Sequence, residues 1–148
     1  MAALPDIAAM TRADGPIPDG FEPMPPFGRF HELVGPIYHR KTETGFAVGL
    51  RVAEKHLNRG DIVHGGMIAM LADTAITWAS KYSQQPPISA LTTQLSIAMM
   101  GKARQGDWIE AQVEVIRSGR RVVFSNCFIW AKGQRIAQAT AQFQVVQA

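Results

Sequence analysis

The sequence predicts an α+β fold in which an antiparallel sheet wraps around one long helix. A single apolar stretch of helical character runs from about His64 to Tyr82 and stops before the segment QQPP. Four strand-like runs follow it in tandem, a pattern that predicts an antiparallel sheet. Because the helix is apolar on every side, we expect the sheet to surround it and a second subunit to complete the enclosure.

The 148-residue chain is expected to contain one compact domain at residues 35–148, preceded by an arm at residues 1–34. Most of the nine prolines lie between Gly15 and Pro36. This part of the arm is therefore predicted to run as an extended arm or loop, with at most a short helix before it. We expect the arm to act as a lid over a functional site or to cover the outer edge of the sheet.

The domain is expected to open with an antiparallel hairpin. The runs PIYHRKTE and GFAVGLRVAEKHL carry β-branched and aromatic residues in partial alternation, with a turn at Glu43 to Gly45. A loop at Asn58 to Asp61 separates this hairpin from the helix. The strands after the helix are ISALTTQLSIAMM, DWIEAQVEVIR, RVVFSNCFIWAK and RIAQATAQFQVV. The turns GKARQG, SGR and KGQ join them, each with a glycine where a positive φ is expected.

Composition narrows the class of protein. The net charge of +3 suits a phosphate-bearing ligand, but no basic run or RNP-like motif predicts nucleic-acid binding. The one cysteine, Cys127, excludes an internal disulfide and a Cys-rich metal site, and its apolar strand context favours a buried, inert thiol. Neither a leader peptide nor a membrane-spanning stretch is recognisable, so we expect a cytoplasmic protein without a membrane partner.

One acid, Asp73, interrupts the apolar helix. A buried carboxylate is unfavourable unless it is paired, and no Lys or Arg lies within four residues of Asp73. Its presence therefore suggests a functional role. The alternative is a buried acid satisfied by hydrogen bonds. Gly65 and Gly66 open the same helix, where free backbone N–H groups can hold a carbonyl oxygen that becomes negative.

The spacing of these groups predicts a site shared by two chains. Asp73 lies on roughly the face of Gly66 but about 10 Å further along the helix axis. One carbonyl can reach both kinds of group only if they come from different chains, as two antiparallel helices related by a dimer twofold would permit.

Two polar neighbours admit two interpretations each. Thr77, one turn beyond Asp73, would orient a water or the carboxylate, or would bond back to the helix backbone. His64 would act as a base or, as we favour, fix the loop before the helix by hydrogen bonds. Asn58 by itself is typical of a turn residue or a helix-entry cap.

Asn58, the run His64-Gly65-Gly66, and Asp73 together resemble the signature of hotdog-fold acyl-CoA thioesterases of the phenylacetic-acid-degradation type, in the thioesterase superfamily. The resemblance covers roughly residues 35 to 146. It implies a hotdog sheet around the central helix, an obligate homodimer, and a homotetramer of two such dimers.

The resemblance also implies roles for individual residues. Asp73 would be the nucleophile or general base, and the Gly65 N–H would polarise the thioester carbonyl from the partner chain. Asn58 would position the thioester or a water, and His64 would support the loop. The segment LTTQLSIAMM resembles the strand in which a polar residue near Thr92 contributes to the site.

The turn RSGRR holds three further candidates. Members of this family often use a glycine and a basic residue here to hold coenzyme A, and arginine binds phosphate bidentately. Gly119, Arg120 and Arg121 are the matching residues, and a solvated hairpin turn is the alternative.

The expected reaction is hydrolysis of an acyl-CoA thioester to a carboxylic acid and coenzyme A, without a metal or redox cofactor. One alternative is a non-catalytic acyl-CoA-binding or regulatory hotdog protein. A hydratase or dehydratase is less supported, because no histidine follows Asp73 in the chain. Aryl-acetyl, hydroxybenzoyl-like, medium-chain and dicarboxylic acyl groups all stay open.

Overall fold

The computed structural model describes residues 10, 13 and 15–146. Within them the helices are α1 (Arg29–Val34) and α2 (Gly65–Lys81). The strands are β1 (Glu22–Pro23), β2 (Tyr38–Thr42), β3 (Gly45–Arg51), β4 (Ser89–Met99), β5 (Trp108–Ser118), β6 (Val122–Ala131) and β7 (Gln134–Val146).

These strands form one antiparallel sheet in the order β1-β2-β3-β5-β6-β7-β4. The chain leaves β3, passes through α2, and starts β4 at the far edge of the sheet. Helix α2 contacts every strand from β3 to β7, so the sheet curves around it. The predicted α+β hotdog fold, with its sheet around a central helix, is confirmed.

The core lies between α2 and the inner face of the sheet. Strand β6 alternates as a half-buried strand should, and its inward side chains are Val123, Ser125, Cys127, Ile129 and Ala131. On α2, Leu71 and Ile76 are fully buried, and each such side chain stabilises the fold by about 1.5–3 kcal/mol. Burial raises the pKa of the Cys127 thiol to about 12, which agrees with the inert thiol that the sequence predicts.

One stripe of α2 is not covered by its own sheet. Gly66 is exposed, and Ala69, Asp73 and Thr77 are only half-buried. These residues recur every three or four positions and so share one helix face. The protomer therefore covers the helix on all sides but one, and the acid lies on the open side.

Strand β4 forms an exposed edge of the sheet. It spans 11 residues, pairs with β7 on one side, and pairs with no other strand among the described residues. Leu91 and Met99 on this strand are 65% and 49% exposed. A long edge with exposed apolar side chains is an available surface for pairing with another chain.

The arm differs from the extended segment expected between Gly15 and Pro36. Its short strand β1 pairs with β2 and covers that edge of the sheet, and α1 forms at RFHELV, a stretch without proline. Lys55 Nζ donates to the carbonyl of Gly35 at 2.5 Å, which ties the end of the arm to the domain. The earlier part of the arm, where a preceding short helix was allowed for, lies largely outside the described residues.

The turns lie where the sequence predicts them, but the end of β3 and the conformation of one glycine differ from the prediction. The β2–β3 hairpin turns at Glu43 and Thr44 as predicted, but β3 ends at Arg51 because Glu54–His56 form a 3₁₀ turn. Gly106 and Gly133 have φ of 87° and 73°, whereas Gly119 is not in the positive-φ region, which contradicts the expectation for that turn. Among the described residues, every helix is too short or too polar to cross a membrane.

Candidate active site

A cavity of about 590 Å³ lies between the arm, helix α2 and strand β4. The open stripe of α2 forms its floor with Gly66, Asp73 and Thr77, and β4 contributes Leu91 and Thr92. Four residues predicted from the sequence, Gly66, Asp73, Thr77 and Thr92, therefore line one cavity. Its volume is in the range of sites that bind small molecules.

Asp73 is held by the edge strand. Thr92 Oγ1 donates a hydrogen bond of 2.6 Å to Asp73 Oδ1, a short bond of the charge-assisted kind. The register of β4 against β7 shifts between Thr92 and Gln94, so Thr93 is a bulge residue next to this contact. Bulges re-aim side chains next to sites. Within the described residues Asp73 makes no ion pair, and only one of its two carboxylate oxygens accepts a hydrogen bond.

Thr77 bonds to the helix backbone. Its Oγ1 donates to the backbone oxygen of Asp73 at 2.7 Å, which is the alternative interpretation of this residue. Thr77 still lines the cavity, so its contribution to the site is one of shape.

The start of α2 is capped by His64. His64 Nδ1 accepts a hydrogen bond from Gly66 N–H at 2.8 Å, and its carbonyl accepts from Met67 and Ile68. Accepting at Nδ1 requires that this nitrogen carry no proton. Gly65 N–H donates to no acceptor among the described residues. The helix therefore keeps one free backbone donor in its first turn.

The two glycines are restricted by different neighbours. A Cβ on Gly66 would lie 2.9 Å from His64 Nδ1, so a larger residue would disturb the cap. A Cβ on Gly65 would lie 3.0 Å from Met99 Sδ, the flexible end of a side chain from β4. Gly65 thus lies close to a side chain of the exposed edge strand.

Asn58 and the arginine turn lie elsewhere in the protomer. Asn58 Oδ1 accepts from Gly60 N–H at 2.8 Å and organises the loop before α2, as a turn residue does. Gly119 lies in the β5–β6 turn with the exposed Arg120 and Arg121. Gln84 Nε2 ties this turn to the end of α2 by donating to the Gly119 carbonyl at 2.9 Å. None of these four residues lines the Asp73 cavity of its own protomer.

The arm contributes three lining residues that the sequence did not indicate as site residues, namely Phe27, Phe30 and His31. The Phe27 ring lies 5.4 Å from His31 and 5.5 Å from Trp78. Burial lowers the pKa of His31 below its ordinary value. The feature of the sequence that could have indicated these residues is the helical spacing of apolar side chains in PPFGRFHELVG, which the surrounding prolines obscure.

Within the described residues, no cluster of three or more His, Cys, Asp or Glu side chains is placed to hold a metal ion. The cavity instead offers one carboxylate, three threonine hydroxyls, a buried imidazole and a mainly apolar wall. Such a set can position an uncharged carbonyl and activate water or attack directly.

Comparison with known proteins gives matches at the levels of family and fold. The family model for the thioesterase superfamily matches residues 60–138. The putative esterase PA0474 of Pseudomonas aeruginosa is 32% identical over 130 residues, which cover 87% of this chain and 97% of that protein.

Two solved structures have the same fold. The PaaI protein from the phenylacetic acid degradation operon of E. coli superposes with a TM-score of 0.70 at 21% identity, covering 76% of this chain and 80% of that one. BH2602 from Bacillus halodurans, solved with CoA, gives a TM-score of 0.73 at 22% identity, covering 82% of each chain. The PaaI-like hotdog fold expected from the sequence is confirmed.

Proposed function

Because the chain belongs to the thioesterase superfamily, we propose that it hydrolyses an acyl-CoA thioester to a carboxylic acid and free coenzyme A. The observation that carries this proposal is the Asp73 carboxylate, held by Thr92 in a mainly apolar cavity, with one oxygen that accepts no hydrogen bond from the described residues. A binding protein gains nothing from an unpaired carboxylate beside its ligand, whereas a hydrolase needs a base or nucleophile there. The presence of CoA in the BH2602 structure supports a coenzyme A ester as the ligand.

Two groups carry out the proposed chemistry, the N–H of Gly65 and the carboxylate of Asp73. The thioester oxygen accepts a hydrogen bond from the Gly65 N–H and becomes negative as the carbonyl carbon is attacked. Asp73 either takes a proton from the attacking water or attacks directly to give a mixed anhydride that water then cleaves. In both routes a C–O bond forms, the C–S bond breaks, and the thiolate leaves and takes up a proton. No metal or redox cofactor is required.

The site is composed of two protomers in this proposal. Within one chain, about 10 Å of helix separates the start of α2 from Asp73, which is too far for one carbonyl. Pairing of two β4 edges around a twofold would bring the two α2 helices side by side in opposite directions. Gly65 of one protomer would then face Asp73 of its partner, with Asn58 and His64 shaping the Gly65 loop. Two dimers would form the expected tetramer.

Coenzyme A would be held by Gly119, Arg120 and Arg121. Both arginine side chains are exposed and free to reach phosphates. The turn itself is fixed to the end of α2 through Gln84, so the arginines start from an anchored backbone.

The test is release of free thiol from a panel of acyl-CoAs by the wild type, Asp73→Asn and a matched control. Glu114→Gln is suitable because Glu114 is an exposed carboxylate on β5 outside the cavity. We expect Asp73→Asn to lower turnover by at least about 10² while the fold is kept, and Glu114→Gln to retain it. Tight binding of the esters without thiol release by the wild type would instead identify a non-catalytic acyl-CoA-binding protein.

A further inference from the structure

His31 is a buried histidine whose ring nitrogens have no hydrogen-bond partner among the described residues. It is 6% exposed and lines the Asp73 cavity from the arm side. Neither Nδ1 nor Nε2 makes a hydrogen bond with any described residue. The buried His56 shows the usual arrangement, since its Nδ1 accepts from Ala53 N–H at 2.9 Å and its Nε2 lies 2.7 Å from the Val34 carbonyl.

A buried imidazole without a hydrogen-bond partner among the described residues is suited to bind a polar group of a ligand. A neutral imidazole has one N–H donor and one acceptor nitrogen, and burial lowers the pKa of His31, which favours that neutral form. Leaving buried donors and acceptors unpaired is unfavourable, so such groups in folded proteins nearly always have a partner. The cavity is the space from which that partner can come.

The side chains around His31 indicate which part of a substrate it meets. The Phe27 ring lies 5.4 Å from the His31 ring, and Phe30, the residue before His31, lines the same cavity. This apolar wall suits a hydrocarbon chain or ring better than the amide-rich arm of coenzyme A.

We infer that His31 is a specificity-determining residue that hydrogen-bonds a hydroxyl group on the acyl chain or ring of the substrate. The preferred substrates are then acyl-CoAs whose apolar acyl group carries a hydroxyl away from the thioester. A hydroxyl can donate to one ring nitrogen or accept from the other, whereas a second carboxylate would lose its hydration against an apolar wall. The inference rests on the proposed function, because it places the thioester at Asp73.

The test measures binding, so that it does not depend on turnover. The probes are non-hydrolysable analogues in which CH₂ replaces the thioester sulfur, made as matched pairs with and without a hydroxyl. The pairs carry a phenylpropanoyl group and its meta- and para-hydroxylated forms, and a hexanoyl group and its terminally hydroxylated form. Calorimetry on the full chain gives the ratio of the two Kd values in each pair.

The proteins compared are the wild type, His31→Phe, His31→Gln and a control, His39→Phe. His39 suits the control because its half-buried ring also has an unpartnered Nδ1 and lies 4.8 Å from Trp78, yet it does not line the cavity. Circular dichroism and thermal unfolding establish that each variant is folded. The comparison within the wild type needs no variant at all.

We expect the wild type to bind at least one hydroxylated analogue about tenfold or more tightly than its unsubstituted partner, which is the effect of a buried hydrogen bond. His31→Phe should abolish that ratio, His31→Gln should retain part of it, and His39→Phe should leave it unchanged. Equal affinities for every wild-type pair, or a ratio that persists in His31→Phe, would overturn the role of His31. Failure of the wild type to release thiol from the natural esters, with the Kd ratio intact, would overturn the hydrolase proposal alone.

Discussion

At the scale of single residues, a few hydrogen bonds determine which polar groups of the site have a partner within the protein and which are available to a substrate. Thr92 donates to one oxygen of Asp73, and the other oxygen accepts no hydrogen bond from the described residues. His64 occupies the N–H of Gly66, whereas the N–H of Gly65 has no acceptor in the part of the chain that the structure describes. The geometry thus separates a group that can attack or accept a proton from a group that can stabilise negative charge, as hydrolysis of a thioester requires.

Replacing Thr92 by valine tests the first of these bonds. The change removes the 2.6 Å hydrogen bond to Asp73 while keeping the branched shape, and we expect kcat to fall about tenfold, since hydrogen bonds to charged groups contribute about 1.5–3 kcal/mol. Thr92→Ser should retain most of the activity. The control is Thr93→Val, because the neighbouring hydroxyl bonds to Gln142 at 3.0 Å. Equal losses of kcat in the two valine variants would show that activity depends on the structure of β4 in general and not on the hydrogen bond between Thr92 and Asp73.

Replacing Gly65 by proline removes the free N–H without removing the helix. Proline is well tolerated at the first position of a helix, and His64, with ψ of 135°, has the extended backbone that a residue before proline prefers. Loss of an oxyanion donor should lower kcat by about 10²–10³. Gly65→Ala is the matched control, because it keeps the N–H and meets the same Met99 side chain. Steady-state kinetics in which both variants lose activity equally would contradict a role for this N–H.

At the scale of elements, His56 joins the arm to the loop before α2. Its ring connects the Val34 carbonyl at the end of α1 to the backbone of Ala53, and its own carbonyl accepts from His64 N–H at 2.8 Å. The wall formed by α1 and the start of α2 are therefore both positioned by one buried residue, α1 through its ring and α2 through its backbone carbonyl. Burial is the main cause that lowers the pKa of His56, against a smaller opposing effect of its bond to Val34.

The depressed pKa of His56 makes stability depend on pH in a definite direction. Below the ordinary value of 6.5, the unfolded chain takes up a proton that folded His56 resists, so the free energy of unfolding falls as the pH falls through this range. The slope from one histidine is at most about 1.4 kcal/mol per pH unit. Urea unfolding between about pH 7.5 and 5.5 should show a shallower fall in His56→Gln than in the wild type. Equal slopes in the two proteins would contradict this effect.

At the scale of the whole molecule, the sequence predicts what local patterns determine. The apolar run before QQPP predicts α2 to within a residue at each end, and the tandem strands predict the sheet and its antiparallel pairing. The arm differs from the prediction because its prolines favour an extended chain or loop, while the helix at Arg29–Val34 depends on contacts with the domain. His31 and Asp73 line one cavity although they lie far apart in the chain, and no local pattern encodes this.

The central proposal is a site shared by two protomers, and mixing two inactive variants tests it most directly. Asp73→Asn and Gly65→Pro homodimers would each lack one component in both sites. When the two proteins are unfolded together and refolded as an equal mixture, half of the dimers are mixed, and each mixed dimer contains one intact site. A shared site therefore predicts recovery of about a quarter of the wild-type rate of thiol release. A mixture that stays as inactive as its components, in the presence of mixed dimers shown by mass spectrometry, would contradict the shared site.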